Sequence, residues 1–391
     1  MGTKQYDSAT DLITLSRASS ATFLGSNGLL QIAANNVPRI EYDATGAVKG
    51  LLIEEARTNL QVHSGDFSNS AWSKASSTVD TSYVAPDGTS TASKLTGVGG
   101  AGATGLYDSN SQGTGMSLTC FMKAGSSGVY GWVEGIVGGT SPYGVFDLEN
   151  GTVVHSRQCD ASIESVGNGW FRCVLANTTH GISFFSAGAS DNTYTNASPW
   201  GASSLTPGKF IYVWGAQLET GAFPTSYIPT TGAAATRARD LAEIPTSAFG
   251  YNNDKGTVVC EFDSASRDGS TIFTLVVGQA ADGITAIIYP TNRVSYQVVT
   301  GGAVQVNLNF DAYATASQVS KVATVYAKDD FAAVLNGGAV ATDTAGSVPL
   351  VSTLKLGVYW GAGGFFMSGH IKSIQYYPRR LTDTQLQELT T

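Results

Sequence analysis

The chain has 391 residues, 42% of them hydrophobic and only 13% charged, with 30 acidic against 22 basic side chains and a net charge of −8. The hydrophobic share supports packed cores and excludes wholesale disorder, and the length suits two or three domains. A nucleic-acid partner is excluded on charge. Phosphate neutralisation needs clustered Lys and Arg, whereas Arg237, Arg239 and the pair Arg379, Arg380 are isolated spots that read as solvated turns.

The few charges and 46 glycines describe an all-β protein whose surface is built from hydroxyls and short turns. No apolar stretch approaches the roughly 20 residues that cross a bilayer, so no membrane partner is expected. The first residues, Met1 to Tyr6, are polar and carry no apolar signal core, which points to folding in the cytoplasm of the producing cell. Cys120, Cys159, Cys173 and Cys260 are irregularly spaced without a Cys-x-x-Cys pair, so neither a zinc site nor a redox pair is expected. Cys120, Cys173 and Cys260 lie in alternating apolar runs and read as buried free thiols; a Cys159–Cys173 bridge is the alternative.

In chain order, residues 1–62 form an N-terminal segment of short strands. Asn27-Gly28, between Ala21–Leu24 and Leu29–Ile32, is a hairpin turn, and later turns fall at Thr45-Gly46 and Lys49-Gly50. Residues 63–240 read as a first β-sandwich. Its strands include Ser117–Lys123, Val129–Glu134, Gly169–Leu175 and Phe210–Gly215, with Tyr130, Trp132 and Glu134 on one face by the period-two rule. Short strands with turn signals every 8–12 residues or so indicate a sandwich or jelly roll.

The Pro-, Thr- and Ala-rich passage from Pro224 to Pro245 marks a boundary, with Leu241 and Ile244 spaced as in a strand. Residues 241–391 read as a second sandwich. It opens with Lys255–Phe262, turns at Asn336-Gly337, closes with Gly369–Tyr377 and ends in a short helix, because Thr382 and Gln385 have capping-box spacing.

Three blocks carry a resemblance. They are Thr14–Thr22 (TLSRASSAT), Gly50–Leu60 (GLLIEEARTNL) and Gly215–Pro229 (GAQLETGAFPTSYIP). Together they resemble the fibre, spike and tail proteins of tailed bacteriophages, and the C-terminal part resembles laminin-G or concanavalin A-like lectin domains. The resemblance implies a structural virion protein, localised to the virion and assembled in the host cytoplasm. It implies a homotrimer in which the N-terminal segment serves attachment to capsid, portal or tail proteins or oligomerisation. It also implies β-sandwich modules for host attachment. Within the blocks, Arg17, Glu54, Arg57, Asn59, Gln217 and Glu219 are expected to make structural hydrogen bonds.

Nothing in the sequence specifies a reaction, and the chain is read as no enzyme, with no cofactor and no metal. Gly-x-Ser-x-Gly is absent, as is a Gly-Lys-Ser/Thr phosphate loop, and His63, His155, His180 and His370 lack zinc-type spacing. The sharpest enzymatic lead is Glu261-Phe262-Asp263, which puts two acids on one strand face. The third acid that such a glycosidase strand needs is replaced by Ala265 and Ser266.

Binding has more support, since sugar rings stack on aromatics while their hydroxyls bond polar groups. The candidate ligand-binding residues are Tyr194, Asn196 and Trp200 in one loop, Tyr359 and Trp360 in a second, and Tyr130 and Trp132 on a strand. The Asp329-Asp330 pair reads as a turn rather than a calcium site. The favoured function is attachment to host-surface polysaccharide. A purely architectural capsid or tail decoration and a glycan depolymerase are the alternatives.

Overall fold

The computed structural model describes residues 12–391 except 101, 109–113, 137–140, 177, 179–180, 192–203, 266–268, 278–281, 290–292, 311–317 and 360–364. Among the described residues every sheet is antiparallel, and the only α-helix is the C-terminal Asp383–Thr390. Thr382 and Gln385 close the expected capping box on that helix. Leu381 and Leu386 then pack it against Val259, Ala323 and Val325 of the neighbouring sheet.

The first sandwich stacks two six-stranded sheets. One runs in the order Thr152–Arg157, Tyr143–Asp147, Tyr130–Ile136, Phe184–Ser190, Thr104–Asp108, Ser73–Ala75. The other runs Asp160–Gly167, Trp170–Ala176, Met116–Ala124, Phe210–Thr220, Ala92–Gly97, Ser77–Tyr83. Alternate residues of both, among them Leu118, Met122, Val133, Phe146, Leu175 and Val213, meet in a buried hydrophobic core. Cys120 and Cys173 are cross-strand neighbours in that core and both are free thiols. Cys159 instead donates its thiol to the Tyr143 carbonyl at 3.4 Å. The alternative Cys159–Cys173 bridge is therefore not formed, because register places Cys120 opposite Cys173.

The second sandwich stacks two seven-stranded sheets, and residues 12–62 are built into both. Thr14–Ser16 is the edge strand beside Leu241–Pro245. In the other sheet, Lys255–Ser264 lies beside Gly369–Tyr377, then Val48–Ile53, then Ile40–Tyr42 at the edge. The division after residue 62 drawn from the sequence thus does not separate a structural module, since Leu15, Leu51 and Ile53 belong to the core of the second sandwich. Gly50 permits the junction. Its φ is +132°, and a Cβ there would lie 2.6 Å from the Ile371 carbonyl oxygen.

The Asn27-Gly28 hairpin forms as expected between Ala21–Leu24 and Leu30–Ala33. Leu24 and Leu30 lay it on the outer face of the first sandwich, against Val166, Trp170, Trp214 and Tyr227.

The three sequence blocks converge on one buried hydrogen-bond system. Arg17 meets Asp240 at 2.8 Å; Arg39 meets Asp240 at 2.6 Å and Glu54 at 2.8 Å; Arg237 Nε lies 3.4 Å from Glu54. Glu54 also accepts from the backbone and hydroxyl of Ser226, both at 2.7 Å. Asn59 donates to the Ile228 carbonyl and accepts from Leu218 N–H, while Gln217 accepts from Ile228 N–H. Glu219 accepts twice from Thr225. Arg57 contacts Glu55 and the Thr220 carbonyl. These bonds tie the N-terminal strands, the first sandwich and the Pro224–Pro245 strap together, although the buried Nε atoms of Arg39 and Arg237 have no hydrogen-bond partner among the described residues.

Candidate functional site

Where the outer face of the first sandwich meets the sheet edge of the second, the fold leaves a cleft of about 790 Å³. Period-two geometry decides which side chains enter it. On one wall, Asp160, Ser162, Glu164 and Val166 alternate along one strand, and Arg172, Val174 and Ala176 along the next. Register places Glu164 opposite Arg172 and Ser162 opposite Val174.

The facing wall comes from the second sandwich and the strands joined to it, with Asp263, Ala265, Ser368, His370, Glu41 and Lys49. Phe23 and Tyr42 are half-buried at its margin. The floor holds Glu54, Thr225 and Ser226 of the buried hydrogen-bond system, with Phe223 beside them.

His370 is the pivot. It is 6% exposed and opposes Asp263 across the strand pair. Its Nδ1 is 2.9 and 3.0 Å from the two Asp263 oxygens, and its Nε2 is 2.8 Å from Glu41 Oε2. Burial alone depresses an imidazole pKa. Here the bonds to Asp263 and Glu41, and their charges, outweigh it and raise His370 to about 9. His370 is thus an imidazolium at neutral pH, donating from both nitrogens.

Lys49 lies 3.4 Å from Glu41 and 3.2 Å from Glu164, so it bridges the N-terminal strands to the first sandwich. Burial opposes its charge, but Glu164 and Glu41 hold its pKa above the ordinary lysine value. Glu41 is destabilised as an anion by burial, yet His370 and Lys49 keep its pKa below the usual carboxylate range.

Five carboxylates line the cleft (Glu41, Glu54, Asp160, Glu164, Asp263) against Lys49, Arg172 and the His370 imidazolium. Ser368 lines it too; the residue is 4% exposed and its hydroxyl oxygen has no hydrogen-bond partner among the described residues.

The expected strand geometry of Glu261 and Asp263 holds, with both outside the core that Cys260 and Phe262 enter. They do not face each other as a free acid pair, because Glu261 pairs with Lys372 at 3.1 Å and Asp263 with His370. Among the described residues no group of three His, Cys, Asp or Glu side chains is arranged to hold a metal ion. At the Asp329-Asp330 turn, Asp330 pairs with Arg380 and Asp329 accepts from Gly346 N–H.

Of the binding residues proposed from sequence, the described ones, Tyr130, Trp132 and Tyr359, do not line this cleft. Trp132 has 0% exposure and lies over Gly105 and Gly188, so its ring has no open face for a sugar. The sequence placed it correctly on a strand face, but glycines on the next two strands to one side of it let the ring lie over them and be covered. Tyr130 is half-buried beside the same cluster, which includes Tyr143 and Val145. Tyr359 is half-buried against Phe365 and packs on Val276 and Val299. Tyr194, Asn196, Trp200 and Trp360 lie outside the described residues.

Asp263 and His370 were singled out in the sequence, but not as neighbours, because Asp263 and His370, or Glu41 and His370, meet only through register between distant strands. The available signal was the alternation of Asp160, Ser162 and Glu164 on an otherwise apolar strand pair.

No family model matches the chain, and no curated protein matches it. Among solved structures it is similar to the NanB sialidase of Streptococcus pneumoniae, with 14% identity and a TM-score of 0.32, over 37% of this chain and 26% of that one. It is also similar to the CBM40 domain of the Ruminococcus gnavus IT-sialidase, with 19% identity and a TM-score of 0.33, over 37% of this chain and 87% of that one. A heptameric SAP-like pentraxin from Limulus polyphemus shows 16% identity and a TM-score of 0.30, over 35% of this chain and 70% of that one. The chain thus spans about a quarter of the NanB chain.

Proposed function

We propose that this chain is a non-enzymatic structural protein of a tailed-bacteriophage virion that attaches to host-surface glycan through the cleft between its two sandwiches. The observation that carries the glycan part is the make-up of that cleft. Carboxylates, two of them held in place by the imidazolium, stand ready to accept from hydroxyl groups, beside the half-buried rings of Phe23 and Tyr42. A concave site with apolar rings and a few fixed polar groups suits a sugar, whose C–H face stacks while its hydroxyls bond.

The virion part is supported by the three blocks that resemble phage appendage proteins, which converge on the one buried hydrogen-bond system. Assembly as a homotrimer and contact with other virion proteins through residues 1–62 belong to the same proposal. That segment exposes Ile32, Val37 and Val48. Several weak sites presented together gain avidity without any new contact.

A glycan array probed with the protein multimerised on beads tests attachment: signal on at least one host-surface glycan is expected, and a blank array contradicts it. Immunogold labelling of the encoding phage tests the location, and particles without label contradict a virion role.

A further inference from the structure

The cleft's charges discriminate between classes of sugar, and this inference rests on the glycan-attachment reading above. We infer that the cleft takes neutral or amino sugars and rejects carboxylated ones such as uronic and sialic acids. Its lining carries five acidic side chains against three basic ones when His370 is protonated.

Lys49 and His370 are already engaged with carboxylates. Lys49 lies between Glu41 and Glu164, His370 between Glu41 and Asp263, and Arg172 donates to the Thr225 carbonyl with its guanidinium 5.8 Å from the Phe121 ring centroid. At Lys49 and His370 an entering carboxylate would have to displace a built-in anion, and at Arg172 it would face Glu164 directly opposite, like-charge arrangements that cost affinity.

A neutral sugar meets no such barrier. Its hydroxyls donate to the outer oxygens of Glu164, which is 57% exposed at its side chain, because an ionised carboxylate accepts at about four lone-pair sites. An ammonium group on the sugar adds a charge-assisted bond at the same place.

Independently of the charges, Ser368 on this wall has bonding capacity to spare. Its hydroxyl is buried and without a partner among the described residues, on the wall that carries His370 and Asp263. A buried hydroxyl left unpaired costs free energy that a hydrogen bond from a bound molecule would return.

The test is an array carrying neutral, amino and carboxylated glycans, probed with wild-type protein and with Glu164→Gln. Glu164 is an exposed strand residue, so the variant is expected to keep the wild-type melting temperature. Wild type should bind neutral or amino glycans at least about tenfold more tightly than their carboxylated counterparts, equivalent to roughly 1.4 kcal/mol. Glu164→Gln should weaken that binding about fivefold or more and narrow the preference.

Equal or tighter binding of carboxylated glycans overturns the charge selection while leaving glycan attachment in place. Unchanged binding by Glu164→Gln overturns the assignment to this cleft. No binding to any class overturns the inference together with the reading it rests on.

Discussion

Arg17 and Asp240 stand 223 residues apart in the chain and meet at 2.8 Å with both side chains fully buried. The same Asp240 holds Arg39, and Arg39 in turn holds Glu54. Removing Asp240 would leave three buried guanidinium groups, those of Arg17, Arg39 and Arg237, facing Glu54 alone. Loss of one partner from such a network costs about 3–5 kcal/mol, much more than the intact pair contributes. Asp240→Ala is therefore expected to lower the denaturation midpoint substantially in a urea titration, and a midpoint within error of wild type would contradict the described packing.

His370 sets a pH dependence. Its ordinary pKa of 6.5 is raised to about 9 in the folded chain, so the folded state binds the extra proton more tightly than the unfolded state. The stabilisation is complete below about pH 6.5 and disappears as the pH rises through about 9, and its full value is on the order of 3 kcal/mol. Denaturation at pH 6, 7.5 and 9.5 should show wild type losing more stability than His370→Gln over that interval. Parallel losses in the two proteins would show that His370 is not the titrating group.

Gly188 faces the Trp132 ring, and a Cβ there would sit 2.2 Å from the Thr104 carbonyl oxygen and 2.4 Å from the indole. Both neighbours are buried, so neither yields cheaply. Gly188→Ala is expected to cost at least about 1–3 kcal/mol. Differential scanning calorimetry reads this as a lower melting temperature, whereas an unchanged one would mean that Trp132 is not packed as described.

Thiol accessibility tests the cores. Cys120, Cys173 and Cys260 have 0% exposure, and burial pushes the Cys120 thiol up to about 12. Cys159 is half-buried, with its pKa raised by burial to about 11. A thiol reagent at pH 8 should therefore label the folded protein slowly and at no more than Cys159, and all four cysteines once denaturant is added. Rapid native labelling of Cys120 or Cys173 would contradict the first sandwich.

Much of this fold was legible because its signals are local. Alternation identified Phe210–Gly215 and Gly369–Tyr377, the Asn-Gly turns placed two hairpins, and Thr382 with Gln385 placed the helix start. The expectation that Arg17, Glu54, Asn59, Gln217 and Glu219 make structural hydrogen bonds holds for the same residues in space.

The pairing of distant strands was not legible. Nothing near Thr14 or Val48 says that these strands complete the second sandwich, because an edge strand's partner is chosen by register and packing rather than by its own composition. The cleft inherits that difficulty, since Glu41, Glu164, Asp263 and His370 lie on strands from three regions of the chain. Aromatic content misled for a related reason. Trp132 was read as a sugar platform, but a large ring on a strand face is as readily buried over small neighbours as it is exposed.

Amide hydrogen exchange with and without the strongest glycan from the array tests the central claim most directly, because it reads where the ligand sits. Slowed exchange at Ile40–Tyr42, Asp160–Gly167 and residues 368–370 together is the predicted result. Slowing confined to Tyr130–Ile136 or to residues 353–359, with those three segments unchanged, would contradict it.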